Sequence, residues 1–136
     1  MTIIDRTQCK SILIVEDEKA IRESLAALLT YEGYEVYSAA DGQAGLDLLK
    51  KIPSPCLILL DFMMPIMNGE EFLKAKGDDD AITAIPVVVI SAYEDCARKL
   101  KSSGFVKKPI NFDSLLGFVH QYCKRNNQTL ADEVAS

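Results

Sequence analysis

Five short apolar runs, separated by segments of helical period, constrain this chain more than any other feature. They are SILIVE (11–16), EVYSA (35–39), CLILLD (56–61), PVVVIS (86–91) and GFVKK (104–108). The first, third and fourth are continuous rather than alternating, the pattern of strands buried on both faces of a parallel sheet. In EKAIRESLAALLTYEG, the residues Ile21, Leu25, Leu28 and Leu29 form one stripe and Gly33 is a natural stop. DGQAGLDLLKKIP runs to Pro53 with two lysines in its last turn, the charge that suits the negative end of a helix dipole. NGEEFLKAKG follows a candidate cap at Asn68 and puts Glu70 and Glu71 in its first turn. YEDCARKLKS is a short helix at best. NFDSLLGFVHQYCKRN starts behind Pro109 and keeps Leu115, Leu116, Val119 and Cys123 on one side. Five β-α repeats predict an α/β fold: a doubly wound parallel sheet with right-handed crossovers and helices on both faces.

The 136 residues fit one domain and can bury a core without a structural metal or disulfides. No run approaches the roughly 18 apolar residues of a membrane span. The start, MTIIDRTQCK, lacks the pattern of a signal peptide, so a cytoplasmic location is expected. Cysteines at 9, 56, 96 and 123 form no CxxC pair and do not cluster with His120. That spacing argues against zinc and against a disulfide framework, and it casts Cys56 and Cys123 as small core hydrophobes. The net charge of −5 argues weakly against nucleic acid. It conceals an asymmetry: 1–95 sum to −9, whereas 96–125 sum to +6. The basic stretch is either a solvated helix face or a docking surface.

Parallel sheets of this kind bind ligands outside the carboxyl ends of their strands. The residues closing the strands here are Glu16 and Asp17, Asp61, Ser91, and Lys108. Taken singly, each has a commonplace explanation as a cap, turn or loop residue. Together they place three carboxylates, a hydroxyl and an ammonium at one sheet edge. Three close acids repel one another unless a cation is present. An all-oxygen, partly solvated site suits Mg²⁺, and an ammonium suits a phosphate oxygen. An Asp carboxylate can itself become an aspartyl phosphate, which gives Asp61 a task as phosphoacceptor.

The motifs ILIVEDE, LLDFMMPIMNG, VVVISAY and FVKKPI together resemble the receiver domain of bacterial two-component response regulators, over about 10–125. This assignment leaves 1–9 as an N-terminal extension and 126–136 as a C-terminal tail. The resemblance implies the flavodoxin-like strand order 2-1-3-4-5. It implies Asp61 as the phosphorylated residue. Asp17 becomes a direct Mg²⁺ ligand, Glu16 a ligand through water, and Asp61 and the Met63 backbone carbonyl further ligands. Ser91 matches the switch hydroxyl, Ala92 the small residue whose N–H helps hold the phosphoryl group, and Lys108 the phosphate-contacting lysine. The Lys108–Pro109 peptide is expected to be cis, and Phe105 matches the aromatic switch position. The implied partners are a sensor histidine kinase or phosphotransfer protein, and an output protein docking near 96–125. Two departures stand out. Relatives commonly place about 22 residues between the switch hydroxyl and the lysine, whereas Ser91 and Lys108 are 17 apart, so the fourth helix is expected to be shortened. Asn68 also stands in MNG where MDG is more usual.

The leading function is therefore a phosphoacceptor switch signalling through protein contacts, not an enzyme beyond self-catalysed phosphotransfer and dephosphorylation. The alternative is a degenerate receiver-fold binding module acting without phosphorylation. A haloacid-dehalogenase-type phosphatase ranks lower, because Met63 occupies the position of its second Asp. No nucleotide-binding loop is present in the sequence, nothing after residue 125 builds a helix-turn-helix, and His120 is expected on the surface, far from the cleft.

Overall fold

The computed structural model describes residues 10–64, 66–80, 82–93 and 102–123. Its elements are β1 (Ser11–Val15), α1 (Lys19–Tyr31), β2 (Glu35–Ala39), α2 (Gly42–Leu49), β3 (Leu57–Asp61), α3 (Gly69–Gly77), β4 (Val87–Ser91), β5 (Gly104–Lys107) and α4 (Phe112–Tyr122). All strands run parallel, in the order β2-β1-β3-β4-β5. This is the flavodoxin-like doubly wound sheet. The segment expected to form a shortened helix after Ser91 falls mostly on 94–101, outside the described residues, as do Cys9 and Cys96.

The continuity of three apolar runs has a direct structural cause. Every residue of β1, β3 and β4 is buried, while the edge strands β2 and β5 are only partly so. Successive side chains feed two separate cores. Ile12, Ile14, Leu57, Leu59, Val88 and Ile90 meet Leu25 and Leu29 of α1 and Leu115 and Val119 of α4. Leu13, Val15, Ile58, Leu60, Val87 and Val89 meet Leu46 and Leu49 of α2 and Phe72 of α3.

The helix ends follow local chemistry. After α1, Gly33 takes φ +96°, a left-handed conformation that a side chain would oppose. Its N–H donates to the Thr30 carbonyl at 3.0 Å, and the Tyr34 N–H donates to the Leu29 carbonyl at 3.0 Å. This Schellman closure satisfies two end carbonyls and buries Tyr34 beneath the helix. α3 opens on a full capping box: the Glu71 N–H donates to Asn68 Oδ1 at 2.8 Å, and the Asn68 N–H donates to Glu71 Oε1 at 3.1 Å. Asn68 thus serves the turn in MNG. α2 ends earlier than its lysines predicted: it stops at Leu49, so Lys50 caps it and Lys51 lies beyond. Lys51 and Ile52 instead donate their N–H groups to the Leu48 carbonyl, closing the end as a turn.

Two expectations are corrected. Cys56 and Cys123 are joined in a disulfide, with Cα atoms 5.5 Å apart. They are 67 residues apart in sequence, and only the return of α4 across the sheet brings its C-cap to the start of β3. Spacing along the chain carries no trace of that meeting. Cys123 is nonetheless a fully buried core residue, as its helical position implied. His120 is half-buried, its ring 6.3 Å from that of Tyr34, rather than on the open surface.

Candidate functional site

Four parallel strands deliver their last residues to one edge, and the loops that follow are held tightly. Glu16 directly continues β1, its N–H bound to the Ala39 carbonyl of β2 at 3.1 Å. Asp61 is the last residue of β3, and the next N–H, of Phe62, donates to the Ile90 carbonyl of β4 at 3.0 Å. Lys108 follows β5, with its N–H on the Ser91 carbonyl at 2.9 Å. The peptide joining Lys108 to Pro109 is cis. Gly69 explains the glycine of MNG: a Cβ there would sit 3.0 Å from Phe62 Cα and 3.4 Å from the Asp61 carbonyl oxygen. The chain turns back on itself directly beneath the carboxylate-bearing residue.

The side chains converge. Carboxylate oxygens of Glu16, Asp17 and Asp61 lie within 4.8 Å of one another, with Glu16 and Asp61 buried and Asp17 exposed. Lys108 Nζ lies 3.2 Å from Asp61 Oδ1 and 3.4 Å from Glu16 Oε1. Burial raises the Asp61 pKa above its ordinary value, against the lowering effect of Lys108. Burial likewise pushes Glu16 up to about 7, opposed by the Glu18 N–H on its Oε2 at 3.1 Å and reinforced by Asp61. Around Lys108, burial works against the charged form, but the Asp61 and Glu16 carboxylates outweigh it and hold the pKa above normal. One ammonium therefore faces three acids. This donor set, all oxygen and short of positive charge, fits a hard divalent cation. Glu16 Oε1 strengthens that fit: it is buried without a hydrogen bond, and the one cation beside it among the described residues is Lys108.

The other anticipated residues are placed less directly. Ser91 is buried at the end of β4, and its Oγ accepts the Tyr93 N–H at 2.8 Å, so the hydroxyl is engaged in its own turn. Ala92 is exposed in that turn. The Met63 side chain is exposed in the loop after Asp61. Phe105 on β5 is half-buried against the core of the α2 and α3 face. Sequence reasoning missed Arg22. Its Nη1 donates to the Glu16 carbonyl at 2.8 Å and to the Asp17 carbonyl at 3.3 Å, fastening the loop that presents the acidic pair. An arginine one turn into the helix behind an acidic pair was the available signal.

The response regulator receiver domain family matches residues 12–120. The chain belongs to that family. It is 32% identical over 122 residues to the response regulator MprA of Mycolicibacterium vanbaalenii, an alignment covering 84% of this chain and 50% of that protein. The chain thus spans about half the length of the curated relatives it matches. Among solved structures it is similar to the chemotaxis protein CheY4 of Vibrio cholerae, with a TM-score of 0.75 and 28% identity over 84% of this chain and 98% of that one. It is also similar to the receiver domain of the hybrid histidine kinase CckA, with a TM-score of 0.69 and 36% identity over 83% and 98%. Receiver domains are signalling modules of two-component systems rather than classical enzymes. No helix of the described receiver is long and apolar enough to cross a membrane.

Proposed function

We propose that this receiver accepts a phosphoryl group on Asp61 from a sensor histidine kinase or phosphotransfer protein and signals through protein contacts. The observation that carries this reading is the buried Asp61 carboxylate at a strand end, paired to Lys108 at 3.2 Å and crowded by Glu16 and Asp17. A carboxylate kept only for stability would not be buried among other acids.

In the proposed reaction, an Asp61 carboxylate oxygen attacks the donor's phosphorus. The bond from phosphorus to the donor imidazole nitrogen breaks, and that nitrogen leaves with the electron pair. Lys108 changes partner from the carboxylate to a phosphoryl oxygen, which its position between Asp61 and Glu16 allows without a large movement. The Ser91 hydroxyl leaves its turn with Tyr93 to donate to the phosphoryl group, and the Ala92 N–H donates beside it. Phe105 follows into the space released and alters the surface around β5 and α4. Glu16, Asp17 and Asp61, with the Met63 carbonyl, would hold Mg²⁺, which when bound supplies the positive charge that offsets carboxylates and phosphoryl oxygens together. The donor approaches beside Lys108, where an open apolar groove is lined by Ile21, Leu25, Pro109 and Phe112. The output contact falls on the basic 96–125 stretch, of which only 102–123 is described.

Intact mass after incubation with acetyl phosphate and Mg²⁺ tests the reading. A gain of one phosphate (about 80 Da), absent in Asp61→Asn and in EDTA, is expected. No gain from acetyl phosphate or from a phosphorylated donor, with Mg²⁺ binding intact, would replace it with a binding module that keeps the receiver fold without its chemistry.

A further inference from the structure

The end of the sheet away from the carboxylates carries the Cys56–Cys123 bond. Cys56 directly precedes β3 and is half-buried, whereas Cys123 caps α4 and is fully buried. α4 is otherwise held on the sheet by Leu115 and Val119 in the core and by the Tyr122 hydroxyl on the Ser103 carbonyl at 3.0 Å. The disulfide therefore fastens the last turn of a helix whose other anchors are noncovalent. The loop it closes contains β3, α3, β4, β5 and α4, and with them Asp61, Ser91 and Lys108. The surroundings also suit the open form. The Ser11 carbonyl oxygen lies 3.0 Å from Cys56 Sγ, where it can accept the hydrogen of a free thiol. In that form Cys123 fits its site as a small apolar residue.

We propose that Cys56 and Cys123 form a reversible thiol–disulfide site, which fastens the end of α4 to the sheet when oxidised and frees it when reduced. The co-reactant is a low-molecular-weight thiol and its disulfide, of the glutathione type. In reduction, an external thiolate attacks Cys56 Sγ, the more accessible sulfur. The protein S–S bond breaks, and Cys123 leaves as a thiolate and takes a proton from water. A second external thiolate then attacks the outer sulfur of the mixed disulfide, releasing Cys56 as a thiol and a small disulfide. Oxidation runs the same steps in reverse. Because Cys123 is buried at the end of α4, its departing thiolate is solvated and protonated only as the last turn loosens, which ties the redox state to the position of the helix. This input is independent of phosphorylation and operates equally in Asp61→Asn.

The test uses the full chain equilibrated in oxidised or reduced glutathione, then alkylated, mapped by peptide mass, and followed by amide hydrogen exchange. The expected result is that Cys56 and Cys123 resist alkylation in oxidised glutathione and react in millimolar reduced glutathione. Amide exchange across 115–123 is expected to be about tenfold faster in the reduced form. The melting temperature should fall by about 10 °C on reduction. A Cys9→Ser/Cys96→Ser variant should keep all three differences, and Cys56→Ser should behave as the reduced form in both buffers. Alkylation of all four cysteines in oxidised glutathione would overturn the pairing. A bond that persists in reduced glutathione, or equal exchange of α4 in both states, would overturn the switch.

Discussion

A half-buried lysine and a buried one sit toward opposite ends of the sheet and respond to their surroundings in opposite ways. Lys108, at the carboxyl end, lies between Asp61 and Glu16, and these acids hold its charged form despite burial. Lys76 of α3, near the start of β4, is 6% exposed and donates to a single backbone carbonyl, that of Thr83, at 2.8 Å. No carboxylate among the described residues offsets its desolvation, and burial lowers its pKa below the ordinary 10.5. The difference separates the two kinds of work in the molecule. The carboxyl end gathers charges that strain the fold and that, in the proposed function, act on a phosphoryl group. The rest of the sheet is fastened by apolar packing, caps, one lysine clasp and a disulfide.

The sharpest way to break this contrast is Asp61→Asn. It is expected to abolish phosphate incorporation completely, read by intact mass. It should also raise the melting temperature in Mg²⁺-free buffer, because one of three crowded acids is gone. Added Mg²⁺ should stabilise the native protein and do so less in the variant. A variant that loses both phosphorylation and stability would show that the acids hold the fold together.

Leu59→Ala should do the opposite. Leu59 is fully buried in the α1 and α4 core, so a loss of about 2–5 kcal/mol is expected in denaturant unfolding. Whatever remains folded should still take up phosphate. Gly33→Ala, at φ +96°, should cost about 1 kcal/mol by the same measurement with normal phosphorylation.

Lys76→Met gives the smallest effect and sharpens the lysine comparison. In the native protein the unfolded state binds more protons than the folded state between the lowered pKa and 10.5, so Lys76 makes stability rise with pH over that window. The variant should lose this contribution, seen as a flatter dependence of melting temperature on pH in the alkaline range. An unchanged profile would mean that water reaches the ammonium and screens it.

Much of this was legible in order. The three continuous runs became the three fully buried strands because two-sided burial leaves no place for polar alternation. Asn68 and Gly33 act as helix boundaries, since capping is chemistry between near neighbours in the chain. The strand-end rule placed Glu16, Asp17, Asp61 and Lys108 at one edge, and their side chains do meet there. Legibility failed where partners are distant or where packing settles the matter. The lysines after α2 predicted a longer helix than forms, because charge preference at a helix end is weaker than the turn that closes on Leu48.

The sequence by itself determined the alternation of strands and helices, their caps, and which residue types would close each strand. These depend on periodicity and on interactions between near neighbours. Tertiary structure alone decided that Cys56 meets Cys123, that Arg22 fastens the acidic loop, that His120 turns toward Tyr34, and that Lys76 is buried against the Thr83 carbonyl. Each of these depends on where an element comes to rest on the sheet. Side-chain spacing along a chain contains no measure of that distance.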